Sequence, residues 1–487
     1  MLRRGLLGYL PVNMVQALAG FGAVVAFTRI LSPADYGAYA LAFSATSLVH
    51  TCCFTWVEAA MARFHATETT PAGRAALFAT LYRTFAVIAL VAPLITGAVL
   101  AVLPLNAPLK FAIGAGLASV VGRSLLKLAQ ERRRASGEVA GFAAYDMLAT
   151  GGGFVIGAML ALAGFGAAAP LAGAGAACAV LLVWALPSEL RVAAQGTFEP
   201  RRLAAYAHYG LPLSLSLVMG LALATTDRFV LAAYLNETAV GAYHAGYSLS
   251  NRTLDVLFIW LGMAGGPAAV AALERGGHAA LKQTARAQAE LMALIAIPAA
   301  AGVALVAHPL ASLMIGQGLA EDSARVTPWI ALSALLSGAT TYYFHTAFTL
   351  GRRTGRLLLA MAIPAVANLV LALVLIPRFG LMGAVWATTA SFGIGLVASA
   401  LLGRACIALP IPWRTLGEAG LAAGIMALAV SAVPAMGGVV ELGLKATLGA
   451  CVYASVILAL DTAGSRGRAG EVVGMLRARL PVKSVSA

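Results

Sequence analysis

Residues 357–376 read LLLAMAIPAVANLVLALVLI, and residues 381–402 read LMGAVWATTASFGIGLVASALL. Neither stretch contains a charged residue, and only the four residues from Pro377 to Gly380 separate them. A bilayer core about 30 Å thick is crossed by about 20 apolar residues in an α-helix. The pair therefore predicts two consecutive transmembrane helices joined by a short turn.

The rest of the chain repeats this pattern. Of its 487 residues, 61% are hydrophobic and only 11% are charged, whereas a soluble domain carries about 25% charged residues. Apolar stretches bounded by charge, Pro or Gly predict helices over 8–28, 37–60, 81–103, 108–129, 139–163, 168–187, 210–233, 239–262, 289–309, 327–350, 356–376, 381–402, 416–435 and 441–461. We therefore expect an all-α polytopic membrane protein of about 14 transmembrane helices.

A polar segment divides the predicted helices into two sets of six. Residues 188–209 contain Glu199, Pro200, Arg201 and Arg202 between two apolar spans, and we interpret this segment as a cytoplasmic connector. The predicted organisation is thus an N-terminal six-helix lobe over 1–187, a C-terminal six-helix lobe over 210–403, and two additional helices with a basic tail over 404–487.

The net charge of +14 is explained by membrane orientation. If the N-terminus is cytoplasmic, 26 of the 33 Lys and Arg residues fall on cytoplasmic segments or helix ends, and five fall on the opposite side. Such a bias predicts cytoplasmic termini for a multi-pass chain. The basic residues form no single patch interleaved with aromatic residues, which argues against nucleic acid as a partner.

Metal and nucleotide motifs are absent from the sequence. The five cysteines include no CxxC pair, so neither a zinc site nor a disulfide framework is expected. The glycine runs near Gly152 and Gly173 are not followed by Gly-Lys-Ser/Thr, and they favour close helix packing over nucleotide binding. We expect no cofactor.

Three segments resemble a known transporter family. Residues 28–39 read TRILSPADYGAY, and residues 227–231 (DRFVL) are followed by VGAY at 240–243. The third segment, over 368–389, contains LIPRFGLMGA at 375–384. Together they resemble the bacterial polysaccharide-transport flippases of the multidrug/oligosaccharidyl-lipid/polysaccharide exporter superfamily. The first two segments also resemble each other, since each places an Arg at a helix end and Gly-Ala-Tyr at the next helix start.

The resemblance implies a function. Such a protein moves undecaprenyl-pyrophosphate-linked oligosaccharide across the inner membrane by alternating access, for lipopolysaccharide, capsule or exopolysaccharide biosynthesis. Its partners would be the lipid-linked oligosaccharide, membrane lipids, and polysaccharide polymerase or export proteins. The alternatives are a peptidoglycan-precursor (lipid II) flippase, a multidrug exporter of the same superfamily and, less favoured because the outer loops are short, a membrane glycan polymerase or ligase. We expect a transporter and not an enzyme.

Arg252 is the first candidate for substrate binding. It lies about 13 residues into the eighth predicted helix, which places it about 20 Å deep, with Asn251 adjacent. A guanidinium at this depth offers two parallel donors to a pyrophosphate. Asp255 follows at i+3 and would hold Arg252 or titrate; the alternative is a structural Arg–Asp pair that neutralises itself.

Arg123 and Lys127 lie at i and i+4 on the fourth predicted helix, in its cytoplasmic half. They would meet a lipid-linked pyrophosphate arriving from the inner leaflet, or simply anchor the helix at the interface. Asp146 on the fifth helix is predicted to carry a proton or to partner Arg123, against a purely structural contact.

Asp227 and Arg228 lie near the outer end of the seventh helix. Adjacent residues diverge by about 100° on a helix, so we interpret this pair as a structural gate or an ion-coupling element. Glu58, at the end of the second helix, is expected to be solvated. His50 is expected to be a hydrogen-bonded packing residue, with proton transfer as the alternative.

Overall fold

A computed structural model describes residues 2–467, with side chains over 11–353 and 355–467. Throughout this part of the chain the regular structure is helical, and no strand occurs within it. The prediction of an all-α membrane protein is confirmed. The predicted basic tail beyond residue 467 lies outside the described residues.

The α-helices are numbered in chain order. They are α1 (Leu2–Ile30), α2 (Pro33–Cys53), α3 (Thr55–Phe64), α4 (Pro71–Val102), α5 (Ala107–Ala135), α6 (Val139–Leu162), α7 (Ala169–Ala194), α8 (Pro200–Tyr234), α9 (Glu237–Leu305), α10 (Ala307–Met314), α11 (Gln317–Ala339), α12 (His345–Leu350), α13 (Thr354–Arg404), α14 (Trp413–Ser431) and α15 (Gly438–Leu460). A single π-helical turn, Thr340–Phe344, joins α11 to α12.

Nine helices within the described residues are long and apolar enough to cross a membrane, and a tenth span results if α2 and α3, bent by 45°, count as one. Two of these helices are interrupted by a glycine in the left-handed region: Gly277 in α9 (φ 63°) and Gly380 in α13 (φ 57°). A residue with a β-carbon rarely adopts such angles, so the chain reverses here. The break at Gly380 is the turn expected between the two uncharged stretches.

Helix α4 shows how the apolar spans meet their solvent. Its most apolar stretch of 18 residues has a mean hydropathy of 2.6, yet only 6% of this stretch is buried inside the protein. Leu90, Leu94 and Val102 are 64–85% exposed. Apolar surface of this extent is unfavourable in water, at about 25 cal/mol per Å², and is accommodated by lipid.

Capping residues set where several helices begin. Ser32, Thr70 and Asn106 each precede a helix, and each side chain accepts a hydrogen bond from a backbone N–H of the first turn, at 3.0, 3.1 and 2.9 Å. Pro occupies one of the first two helical positions after each cap, where its missing N–H costs nothing. The polar turns between apolar stretches therefore act as helix start signals.

The chain forms two compact units, which do not coincide with continuous stretches of sequence. Unit 1 runs from the start of the chain to Arg252 and adds Met314–Val326 and Leu358–Ile394. One of its apolar cores joins α3, α4, α5 and α8 around Phe54, Leu81 and Leu128. The two units are groups of residues in close mutual contact and do not correspond to sets of six consecutive helices, so the two six-helix lobes stay a prediction.

Unit 2 comprises Thr253–Leu313, Thr327–Leu357 and the residues from Gly395 onward. Its core packs Phe258 of α9 and Tyr343 of the π-helical turn among small residues of α9 and α11. A second cluster joins α14 and α15 to α9 through Met426 and Tyr453. The two C-terminal helices thus pack on the later part of α9.

The glycine runs are helix contacts, as expected. A β-carbon on Gly173 of α7 would overlap the backbone of Gly157 on α6, and one on Gly153 would lie 3.1 Å from the Cα of Ala174. Glycine lets these backbones approach closely, which is a common way to pack helices in membranes. Helices α6 and α7 form one wall of the cavity described next.

Candidate functional site

Unit 1 encloses a cavity of about 690 Å³, here called the central cavity. Helices α1, α2, α5, α6, α7, α8 and α9 all contribute to its wall. The lining residues are Gln16, Ala19, Gly20, Ala23, Phe27, Tyr39, Thr46, Ser47, His50, Thr51, Val120, Arg123, Leu126, Lys127, Gln130, Asp146, Ala149, Thr150, Gly153, Phe154, Pro170, Ala174, Cys178, Leu221 and Arg252.

The charged lining of the central cavity is predominantly positive. Arg123, Lys127 and Arg252 supply three cations, and Asp146 supplies one carboxylate. The structure thus brings together four of the eight residues predicted to bind substrate or couple transport. Their roles stay predictions, but their shared position gives the cavity the electrostatics of an anion site.

Neither Arg123 nor Arg252 forms a hydrogen bond or ion pair with any described residue. Each guanidinium carries five N–H donors in a planar fork that fits phosphate oxygens. Arg252 is exposed and Arg123 half-buried, so both groups keep their donors available to the contents of the cavity. Unused donors of this kind point to a ligand rich in acceptor oxygens.

Arg252 reaches the wall formed by α1. A β-carbon at Gly20 would clash with its guanidinium, so the absence of a side chain at Gly20 leaves the space that the guanidinium occupies. The sequence did not single out Gly20. A glycine on the cavity face of α1 signals close approach only when the opposing residue is known.

Asp146 lies opposite α1 and is held by it. The Nε2 atom of Gln16 donates a 2.7 Å hydrogen bond to a carboxylate oxygen of Asp146. No ion pair joins Asp146 to Arg123 among the described residues. Of the predicted alternatives, the geometry matches the structural contact, here made with Gln16, while a proton-carrying role remains untested.

Lys127 lies between the central cavity and a second cavity of about 460 Å³, also in unit 1. Its Nζ is 3.6 Å from Glu131, which Arg134 also contacts at 2.7 Å. The second cavity is lined by Thr55, Glu58, Ala59, Ala62, Arg63, Lys127, Glu131, Arg134, Tyr209 and Leu213. Of the three cations that line the central cavity, Lys127 is therefore the one whose charge is partly balanced by a nearby carboxylate, that of Glu131.

Glu58 corrects an expectation. It is 5% exposed, whereas the sequence predicted a solvated residue at a helix end. The chain bends by 45° between α2 and α3, so the helix end turns inward and Glu58 faces His50. The His50 Nε2 is 3.6 Å from a Glu58 carboxylate oxygen, and the His50 Nδ1 is 2.7 Å from the Ser124 hydroxyl.

Asp227 and Arg228 do not line the central cavity. Asp227 is fully buried and accepts hydrogen bonds from the Arg228 backbone N–H at 2.9 Å, from the Thr388 hydroxyl at 2.7 Å and from the Tyr243 hydroxyl. These bonds connect α8, α9 and α13. Asp227 thus occupies the centre of a polar network between three helices.

The Arg228 side chain points the other way from that network. Its Nη1 donates a 3.2 Å hydrogen bond to the Ser44 hydroxyl on α2, and its guanidinium carbon lies 5.0 Å from the centre of the Tyr247 ring. Arg228 is 4% exposed. The pair therefore links α8 to α2 on one side and to α13 on the other. Its predicted role as a structural gate or ion-coupling element stays a prediction.

Asn251 and Asp255 lie beside Arg252 in sequence but are absent from the residues lining the central cavity. Both side chains are half-buried. Asn251 is turned by about 100° from Arg252 on the helix. Asp255, at i+3, shares the Arg252 side of α9 but does not line the cavity. Their predicted roles in binding and coupling remain predictions.

Helix ends meet through backbone contacts beside Phe27 and Tyr39 of the cavity lining, and we interpret this region as the closed end of the central cavity. A β-carbon at Gly37 of α2 would overlap the carbonyl oxygen of Glu237, and one at Gly316 would overlap the carbonyl oxygen of Thr28. The Gly316 N–H also donates a 3.0 Å hydrogen bond to the Thr28 hydroxyl. This closed end is the one predicted to face the periplasm.

Side chains complete the closed end. The Asn106 amide donates a 2.5 Å hydrogen bond to the Glu237 carboxylate, and the Ser323 hydroxyl donates a 2.9 Å hydrogen bond to the carbonyl of Ala242. All of these residues belong to unit 1. The segment after α1 and the start of α9 are thus in direct contact. This contact could not be predicted from the sequence, because the two segments are about 200 residues apart.

No metal centre or disulfide occurs among the described residues. They contain no cluster of three His, Cys, Asp or Glu side chains that could hold a metal ion. The five cysteines lie within the described part of the chain and are all free.

The fold is shared with known transporters. The chain is similar to the lipid II flippase MurJ in an inward closed conformation, with 11% identity, a TM-score of 0.76, and coverage of 92% of this chain and 98% of that one. It is similar to an inward-facing multidrug resistance MATE family transporter of the MOP superfamily, with 15% identity, a TM-score of 0.64 and coverage of 82% and 98%. At these identities the likeness establishes the fold alone.

A third similar structure is a MOP superfamily transporter from Pyrococcus furiosus, described as having a binding pocket of reversed polarity. It has 13% identity, a TM-score of 0.55, and coverage of 82% of this chain and 96% of that one. No curated protein has a matching sequence.

The sequence itself identifies the family. Residues 26–322 match the model of the family described as polysaccharide biosynthesis protein. This match covers well over half of the chain and includes the first two of the three segments that resemble polysaccharide-transport flippases. The chain belongs to the polysaccharide biosynthesis protein family of multi-pass membrane proteins.

Proposed function

We propose that this protein is a flippase that moves a diphosphate-linked oligosaccharide lipid across the inner membrane by alternating access. The glycan would serve lipopolysaccharide, capsule or exopolysaccharide biosynthesis. One observation carries the proposal: the central cavity contains two guanidinium groups, on Arg123 and Arg252, that use none of their donors on described residues.

The charge of the central cavity favours a diphosphate over the other ligand classes. A hydrogen bond to a charged group contributes about 1.5–3 kcal/mol, and a guanidinium fork binds phosphate oxygens in pairs. A cationic drug would instead meet repulsion from Arg123, Lys127 and Arg252. The multidrug exporter alternative is therefore disfavoured by the lining.

The volume of the cavity supports a headgroup and not a whole lipid. At about 690 Å³ it falls within the range of about 300–1,000 Å³ typical of small-molecule sites. A polyprenyl tail would lose about 0.8 kcal/mol per CH₂ on leaving lipid for a polar cavity. We infer that the tail stays in the bilayer while the diphosphate and sugars enter.

The remaining flippase alternative shares this chemistry. A peptidoglycan precursor also carries a diphosphate, and one similar structure is described as a lipid II flippase. The polysaccharide biosynthesis family match favours the oligosaccharide. Under this proposal the polysaccharide polymerase or export proteins would receive the glycan, and both termini would be cytoplasmic.

We assign Asp227 and Arg228 to a structural gate. Their bonds connect α8 with α2, α9 and α13, and α2 and α9 also meet at the closed end of the central cavity. Alternating access requires that the contacts at that end break and re-form. A polar network with fixed partners would keep the helices in register during such a movement.

The proposal is tested with purified protein in vesicles that contain a fluorescent undecaprenyl-diphosphate disaccharide. Protection of the label from a membrane-impermeant quencher reports leaflet exchange. Arg252→Ala and Arg123→Ala should each slow exchange by about tenfold to a hundredfold, because each removes about 1.5–3 kcal/mol of charge-assisted binding.

Arg83→Ala is the matched control, since Arg83 is an exposed arginine of α4 that does not line the central cavity. It should exchange the label at the parent rate. Parent-like exchange by Arg252→Ala and Arg123→Ala together would refute the assignment of the site. Formation of a new glycosidic bond in the vesicles would instead identify a polymerase or ligase.

A further inference from the structure

Two titratable side chains connect the central cavity to the second cavity. His50 of α2 lines the central cavity, and Glu58 of α3 lines the second cavity. The His50 Nε2 and a Glu58 carboxylate oxygen are 3.6 Å apart. The pair therefore forms a polar link between two cavities, both of which Lys127 also lines.

Glu58 lacks part of its hydrogen bonding. Its side chain is 93% buried, and its Oε1 atom has no hydrogen-bond partner among the described residues. A buried carboxylate without partners is costly, and buried polar groups in native proteins are nearly always satisfied. A proton shared with His50, or carried in from the second cavity, would supply what is missing.

We propose that His50 and Glu58 together bind one proton, taken up through the second cavity when a diphosphate binds in the central cavity. This inference rests on the proposed function, and it adds a proton to the ligands of the protein. It assigns roles to two residues that the substrate site does not otherwise use.

The hydrogen bonds around His50 set the direction of transfer. In the neutral tautomer that carries its hydrogen on Nδ1, this atom donates to the Ser124 hydroxyl at 2.7 Å, and the Nε2 lone pair faces Glu58; this is the tautomer that the proposal uses. A proton from water in the second cavity first binds the Glu58 carboxylate and then passes to Nε2. This gives an imidazolium, regenerates the carboxylate, and leaves the bond to Ser124 intact.

The distance requires a small adjustment. At 3.6 Å the two atoms lie within ion-pair range but outside the usual N–H···O limit of about 3.2 Å. A shift of about half an ångström, or one bridging water, completes the path.

The charges facing the pair explain why the ligand would bring the proton. The charged groups that line the two cavities around the pair are Arg63 of α3, Arg123, Lys127, Glu131 and Arg134 of α5, Asp146 of α6 and Arg252 of α9. The other titratable groups there are Tyr39, Cys178 and Tyr209. With an empty cavity, the nearby cations oppose a further positive charge on His50. A bound diphosphate removes that opposition.

The test measures binding of an undecaprenyl-diphosphate disaccharide to the full chain in nanodiscs between pH 6 and pH 8. The charge of this probe is constant over that range. Calorimetry in buffers of different ionisation enthalpy gives the number of protons taken up. The parent protein should take up as much as one proton and lose affinity as pH rises, by at most about tenfold per pH unit.

Two variants and one control locate the proton. His50→Gln and Glu58→Gln should each bind the probe with no proton uptake and with an affinity independent of pH. His345→Gln is the matched control, because His345 is half-buried and bonded to Ser399 at 3.3 Å but lies in unit 2. It should behave like the parent.

The outcomes distinguish a failure of the proposed proton site from a failure of the proposed flippase function. Binding without proton uptake by the parent, or uptake retained by both His50→Gln and Glu58→Gln, would overturn the proton site and leave the flippase proposal intact. Failure of the parent to bind the probe at any pH would overturn the proposed function itself.

Discussion

Gly37 offers a direct test of the closed end of the central cavity. It lies in α2 directly against the carbonyl oxygen of Glu237, at the start of α9. The substitution Gly37→Ala adds one methyl group at this contact. If the contact belongs only to the closed state, the added methyl should favour the state in which this end is open.

The magnitude follows from the geometry. The new β-carbon would overlap the Glu237 carbonyl oxygen, and backbone atoms give way less readily than the end of a flexible side chain. Overpacking of this kind costs about 1–3 kcal/mol. Because about 1.4 kcal/mol is a factor of ten in an equilibrium constant, the open fraction should rise about fivefold to more than a hundredfold.

Thiol accessibility measures that fraction. Ala23 lines the central cavity, so Ala23→Cys, in a chain whose five native cysteines are replaced by Ala, reports entry from the periplasmic side. A membrane-impermeant maleimide is added to intact cells. With Gly37→Ala present, the labelling rate of Cys at this position should rise in proportion to the open fraction.

The control uses the same chemistry where space is free. A β-carbon at Gly114 of α5 meets no atom within 4 Å, so Gly114→Ala should leave the labelling rate unchanged. Equal labelling of the Gly37→Ala and Gly114→Ala proteins would refute the identification of this contact as part of a gate.

Two stability predictions complete the set. Asp227→Ala removes the acceptor of three hydrogen bonds in a fully buried network and should lower the free energy of unfolding by about 2–5 kcal/mol. Chemical unfolding in detergent measures this free energy. The control is Asp322→Asn, at an exposed ion pair with Arg325, which should change it by less than about 0.5 kcal/mol. Gly173→Ala forces α7 away from Gly157 of α6 and should lower the free energy of unfolding by about 1–3 kcal/mol. If the Gly173→Ala and Gly114→Ala proteins had the same melting temperature, the close contact between α6 and α7 would not contribute to stability as argued.

Much of the fold follows from local sequence signals. The uncharged stretches around Gly380 form α13, and the chain reverses at Gly380 itself. Ser32, Thr70 and Asn106 cap the helices they precede. The length of the apolar runs predicts the helices and the turn at Gly380. The capped starts at Pro33 and Pro71 lie four and ten residues before the predicted starts at 37 and 81, because the first turns of α2 and α4 are too polar to belong to the apolar runs.

Part of the site is also local. Arg123 and Lys127 share a helix face because they lie four residues apart, and both line the central cavity. Arg252 was placed there by its depth in an apolar span. An uncompensated cation inside a membrane helix needs a polar surrounding, and this requirement directs it inward whatever the rest of the fold.

The pairings within the site were not predictable in the same way. Gln16 and Asp146 are 130 residues apart when they form their hydrogen bond, and no local pattern connects them. Glu58 follows His50 by eight residues, a spacing that would place both on one face of a straight helix. The bend at Phe54 instead buries Glu58, and single-sequence periodicity does not reveal such a bend.

The family-like segments supply contacts between helices, whereas the charged residues that line the central cavity lie elsewhere in the sequence. Gly37 contacts Glu237 within the closed end, and a β-carbon at Gly241 would lie 2.9 Å from the Pro33 carbonyl oxygen. The first two family-like segments thus supply backbone contacts that require small residues. Arg123, Lys127 and Arg252 lie outside all three segments. A gate must close in the same way whatever the cargo, whereas the lining must fit one headgroup, so the identity of the glycan should be sought in the lining of the cavity.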